Sequence, residues 1–174
     1  VEADLVEQVA ATPQATYAFS HPLIHAVAYE VQLKAARAEL HRRVATAMKG
    51  RPGGFTGEQA ATVATQSAAA GDLRDAFDWH MRAATWFGAR DIRAARESWR
   101  QAVRVADQLP ADDPDRLTSR IAPRALLCGS AFQVGGTPAD TGFEELRELT
   151  IIAGDKRSLA LGMAGHLTTL TFNA

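Results

Sequence analysis

The amino-acid sequence predicts an all-α fold, in which antiparallel helical hairpins stack into an α-α superhelix. Three observations lead there. Apolar residues recur at spacings of three and four over most of the chain. Alanine is abundant while aromatic residues make up 7%, a composition that suits closely packed helices. The breaks between periodic stretches are short and hold Gly, Asp or Pro, so consecutive helices fold back on one another.

The elements follow in order. Ser20 is placed to cap a helix over about His21 to Glu30, with Pro22 in its first turn, where a missing N–H costs little. The next helix runs from about Gln32 to Lys49, with Leu33, Ala36, Leu40, Val44 and Ala47 on one face. GRPGG at 50–54 ends it. Helices are then expected near 57–70, 73–89 and 91–109. The last carries one continuous stripe: Ile92, Ala95, Trp99, Ala102, Ala106 and Leu109. PADDP at 110–114 closes it and starts a helix over about 115–134. Gly135, Gly136 and Pro138 break the chain again, and helices near 140–153 and 155–172 complete it.

Two of the breaks echo each other. AAAGDLRDAF at 68–77 and IIAGDKRSLA at 151–160 both place Gly-Asp where glycine ends one helix and aspartate caps the next. Small residues Ala64, Ala76 and Ala83 then occupy positions of close helix approach, in a loose match to the tetratricopeptide pattern. Trp79, Ala83, Trp86, Ala95, Trp99 and Ala102 fit a second, overlapping copy, so the helix containing Trp79 serves both.

Composition narrows the function classes. The 174 residues, 47% hydrophobic and 22% charged, suffice for one ordinary domain. Nineteen basic against twenty acidic residues leave a formal charge of −1, which advertises neither nucleic acid nor a membrane surface. A single cysteine, Cys128, excludes an internal disulfide and a thiolate zinc cluster and points to a reducing, cytoplasmic setting. Apolar runs fall short of a membrane span. VEADLVEQ at the start is acidic and amphipathic, unlike the basic-then-apolar start of a secretory leader; with no Met before it and an end within LTTLTFNA, the chain reads as a piece of a longer protein.

Candidate chemistry is sparse. His21 and His25 share a helix face at zinc-ligand spacing, but HPLIH lacks the glutamate of HEXXH, and no Asp or Glu lies between Ser20 and Tyr29. The serine and proline explain the motif as a helix start. Lys34, Arg37, Arg42 and Arg43 form one basic run; Arg93, Arg96, Arg100 and Arg104 form another on one side of a helix. Either suits phosphate. Aromatic interleaving is poor, however, and Asp91 and Glu97 stand ready to pair, so the second row reads first as a protein-interaction surface. GRPGGFTG lacks the lysine and hydroxyl of a phosphate-binding loop. GDKRS at 154–158 is accounted for by capping. Cys128 sits in an apolar run without an adjacent histidine and reads as buried and inert. No catalytic, cofactor-binding or metal-binding residue is assigned.

The stretch YAFSHPLIHAVAYEVQLKAARAELHRRVATAM resembles a segment that follows the nucleotide-binding core of STAND-type signalling ATPases. The matching residues are Phe19, His21, Leu23, Ile24, Ala28, Tyr29, Glu30, Arg37, Leu40, His41, Arg42, Arg43, Val44 and Ala45. AAAGDLRDAFDWHMRAA looks like that family's first helical repeat. IAPRALLCGSAF and FEELRELTIIAGDKRSLALGMAG look like actinobacterial, especially mycobacterial, members. Those are fused to class III adenylate or guanylate cyclase domains or to LuxR-type regulators.

The resemblance implies that residues 1–50 end a winged-helix segment and 51–174 begin a tetratricopeptide-like sensor region. It also implies that Phe19, His21, Tyr29, Arg37 and His41 are structural residues of the junction. ATP and magnesium would belong to other domains of the parent chain. The expected partners are those domains, a protein or peptide, and a second copy; neither nucleic acid nor membrane is expected. A regulatory scaffold linked to cyclic AMP signalling is the first expectation. The ligand-sensing region of a LuxR-type transcription factor and a free-standing peptide-binding adaptor are the alternatives.

Overall fold

The computed structural model describes residues 5–10 and 16–174, and over these the fold is all-α apart from one short hairpin. The chain forms two compact units, Val1–Leu40 and His41–Ala174, a division that falls inside a helix.

The first unit opens with strands β1 (Val6–Ala10) and β2 (Thr16–Phe19), paired antiparallel with Val6 opposite Phe19 and Gln8 opposite Tyr17. This hairpin was not expected. Its strands are only five and four residues long, too short for period-two patterning to stand out in an acidic opening. Helix α1 (Pro22–Glu30) starts one residue later than Ser20 would require. His21 is the cap: its Nδ1 accepts the Leu23 N–H at 3.1 Å, and Pro22 supplies the first turn.

Helix α2 (Lys34–Lys49) crosses the division between the units. Its expected apolar stripe is not its buried face: Leu33, Leu40 and Val44 are exposed, whereas Ala45 is buried. The face that packs in the second unit is instead anchored by polar pairs. His41 Nδ1 lies 2.7 Å from Gln66 Oε1, Arg42 grips Asp72, and Lys49 pairs with Asp75.

The rest of the second unit consists of α3 (Gly57–Ala69), α4 (Leu73–Phe87), α5 (Ile92–Gln108), α6 (Arg116–Gly129), α7 (Phe143–Ala153) and α8 (Lys156–Phe172). Helix α4 packs on both α3 and α5, α5 packs on α6, and α6 packs on both α7 and α8. The shared role expected of the Trp79 helix is therefore realised in α4. Alanines form the seams: Ala64, Ala76, Ala83, Ala84, Ala95, Ala102 and Ala106 are all fully buried. Such small side chains let helix axes approach closely, and Phe77, Phe87, Trp99 and Leu109 fill the remaining space. A second core of Ile121, Ala125, Cys128, Leu146 and Leu149 joins α6 to α7.

The helix expected over 115–134 is interrupted. It ends at Gly129, and a 3₁₀ turn takes over at Ala131–Val134; another precedes α7 at Pro138–Thr141. The two Gly-Asp turns share their glycine geometry, with left-handed φ of 82° at Gly71 and 66° at Gly154. They differ in the aspartate. Asp155 caps α8 by accepting the Ser158 N–H at 3.0 Å. Asp72 makes no capping bond, because Arg42 Nε and Nη2 each hold its carboxylate at 2.9 Å. That pairing lowers the Asp72 pKa.

Candidate functional site

Of the five junction residues, Phe19, His21, Tyr29 and Arg37 lie in the first unit and His41 in the second. The lone pair of His21 Nδ1 is used in the α1 cap. The His25 ring packs edge-on against Phe19, centroids 5.1 Å apart, and stacks on Tyr29 at 6.1 Å. Arg37 lies over the same Tyr29 ring at 4.8 Å while Nη1 donates to the Tyr29 carbonyl at 3.2 Å. These contacts tie β2, α1 and the start of α2 into one unit. His41 belongs to the other unit, against Gln66. Among the described residues no three His, Cys, Asp or Glu side chains gather in a metal-holding group.

The arginine row of α5 is split by the fold. Arg93, Arg100 and Arg104 are exposed, but Arg96 is turned inward and only 4% exposed. Arg96 Nη1 donates to the Leu127 carbonyl at 2.6 Å and to Ser130 Oγ at 2.7 Å, pinning α5 to the end of α6. Arg100 meets Glu97 in an exposed pair at 3.4 Å, and Arg104 Nη1 reaches Gln101 at 3.5 Å. The row is therefore no continuous basic strip.

Beside it lies a charged cluster that sequence reasoning missed. Arg124 Nη2 sits 2.8 Å from Asp107 and 2.7 Å from Glu145, and Arg120 Nε also reaches Asp107 at 2.8 Å. Burial disfavours the Asp107 carboxylate, but hydrogen bonds from Arg124 and Arg120 outweigh it and hold its pKa below the usual range. For Arg124, likewise, burial works against the charge and the two carboxylates more than restore it. The four residues come from α5, α6 and α7, so no local spacing could reveal them.

Helix α8 presents the most unusual surface. Its inward face toward α6 is small: Gly162, Gly165 and Thr169 are buried. Its outward face carries Met163 at 45% exposure, Leu167 at 56% and Leu170 at 42%, spaced one helical turn apart. On α7, Ile151 and Ile152 are exposed as well. An ordinary surface helix turns its bulky apolar side chains inward; this one does the reverse.

The arrangement over the described residues is an all-α fold of helices packed against one another. No helix there is long and apolar enough to cross a membrane. Comparison with protein-family models, with curated proteins and with solved structures returns no match.

Proposed function

We propose that this chain is a non-catalytic regulatory scaffold of a multidomain signalling ATPase, coupled to a nucleotide cyclase output. One observation carries the reading: the outward stripe of Met163, Leu167 and Leu170 on α8. A contiguous row of bulky apolar side chains facing outward marks a surface made to be covered by protein. Alanine seams suit the role, because closely packed helices shift as rigid rods and pass the occupancy of one face to the next through a population shift. The resemblance of residues 17–48 to STAND-type ATPases suggests the parent architecture, and that of residues 121–132 and 143–165 to actinobacterial members suggests the cyclic AMP output.

Two assays test this. Purified chain incubated with ATP and magnesium is expected to form neither ADP nor cyclic AMP above the protein-free rate; turnover would overturn the non-catalytic assignment. In the parent protein, the double substitution Met163→Asp, Leu167→Asp is expected to change ATP hydrolysis or cyclase output severalfold. It leaves helical content intact, since both side chains lie outside the packed seams. Unchanged output in a folded variant would remove α8 from the regulatory path.

A further inference from the structure

The outward face of α8 is distinguished by charge as well as by bulk. From Ser158 to Ala174 the chain carries no Asp, Glu, Lys or Arg. The exposed side of α5, by contrast, carries Arg93, Glu97, Arg100 and Arg104. On α8, Ala160, Ala164, Leu167 and Thr171 run down the middle of the exposed side, flanked by Met163 and Leu170. The face is small in places and bulky in others, the same mixture that fills the inner seams.

The charges that α8 does carry sit at one end. Lys156 and Arg157 are both exposed in its first turn, which holds no acidic residue. They stand at the positive pole of the helix dipole, the unfavourable pole for a cation. Asp155, which caps the helix, offsets one of them and leaves one positive charge in excess. At the other end the last turn holds no basic residue, so the negative pole and its unpaired carbonyls have no cation of their own.

We infer that this face packs against the same face of a second copy of the chain, with the two α8 helices antiparallel. The inference rests on the reading that α8 is covered by protein. Antiparallel pairing answers both poles at once. Lys156 and Arg157 of each copy come over the C-terminal turn of the other, whereas a parallel pair would bring all four cations together. A two-fold axis between Gly165 and His166 sets Ala160 opposite Thr171 of the second copy and Ala164 opposite its Leu167. Small side chains then meet larger ones twice over, as in the seams. One helix face from each copy buries less than the roughly 1,200–2,000 Å² of a tight interface, so dissociation on the order of tens of micromolar is expected. At about 1 µM the isolated chain is then monomeric and its α8 uncovered.

Sedimentation equilibrium of the purified chain from about 1 to about 300 µM tests the pairing. The mass is expected to rise from that of the monomer toward twice it. Leu167→Asp, at an exposed position, is expected to weaken association about tenfold or more with helical content unchanged. Cysteine crosslinking reads the direction. Ala160→Cys and Thr171→Cys chains, mixed and oxidised, are expected to form a disulfide between copies. Neither variant alone is expected to do so, because like positions lie about 16 Å apart, beyond a disulfide reach of about 7 Å. Buried Cys128 stays out of the reaction. A monomer at every concentration, a mass beyond twice the monomer, undiminished association of the Leu167 variant, no disulfide in the mixture, or crosslinking of either variant with itself would overturn the proposal. A monomeric chain whose Met163→Asp, Leu167→Asp substitution still changes output in the parent would leave α8 covered by a different protein. A dimer without that effect would keep the pairing and remove its regulatory role.

Discussion

His80 shows what burial does to a single titratable group here. It lies on α4, is buried, and its Nδ1 has no hydrogen-bond partner. Burial lowers its pKa to about 4, against a small opposing pull from Glu97. Between that value and the ordinary histidine pKa of about 6.5, the unfolded chain binds the proton and the folded chain does not. Neutral His80 therefore contributes stability that is complete above the unfolded pKa and is lost as pH falls toward 4. Chemical denaturation is expected to show a loss of about 2 kcal/mol between neutral pH and pH ~4.5. His80→Leu should flatten that slope; an equally steep slope would mean that other groups cause it. The carboxylates of Asp72, Asp107, Asp140 and Asp155, with lowered pKa values, act in a separate and more acidic window. Their contribution is complete above the ordinary carboxylate pKa and is lost as pH falls from that value through their depressed pKa values. Cys128 is likewise governed by burial, which raises its pKa, and its thiol donates to the Gly162 carbonyl at 3.2 Å.

At the scale of elements, the inward face of α8 is the most tightly constrained. A Cβ on Gly165 would collide with the Cys128 carbonyl oxygen and the Gly129 Cα, both backbone atoms that cannot swing aside. Gly165→Ala is expected to cost about 1–3 kcal/mol, seen as a lower urea midpoint. Ala164→Ser, on the exposed side of the same helix, should stay within about 0.5 kcal/mol of the parent. If the two variants unfold alike, the close approach of α6 and α8 is wrong. Elements were legible where a long period repeated: α5 carries its stripe over 17 residues and buries Ala95, Trp99, Ala102 and Ala106 along it. They were not legible where a side chain had competing uses. Asp72 has the composition of a cap, yet Arg42, thirty residues earlier, claims its carboxylate. Ser20 has the stronger capping propensity, yet the neighbouring His21 takes the role. In α2 the apolar stripe misled, because polar pairs from His41, Arg42 and Lys49 decide which side packs.

At the scale of the molecule, local helix signals and short turns made the all-α class legible, since most of the packing joins neighbours in sequence. The charged cluster beside the arginine row was not. It brings Arg124 to Asp107 and Glu145 across three helices, and of its neighbours only Arg96 and Arg100 stood out beforehand, as members of a row the fold then split. The outward apolar stripe of α8 was also hidden, because a helix apolar on both sides reads as an ordinary core helix until its neighbours are known. The account rests on that stripe being covered in the working protein. Hydrogen–deuterium exchange across α8 tests this directly, comparing the isolated chain with the parent protein. Slower exchange of the amides around Met163 to Leu170 in the parent is the expected result. Identical exchange in the two would contradict the account.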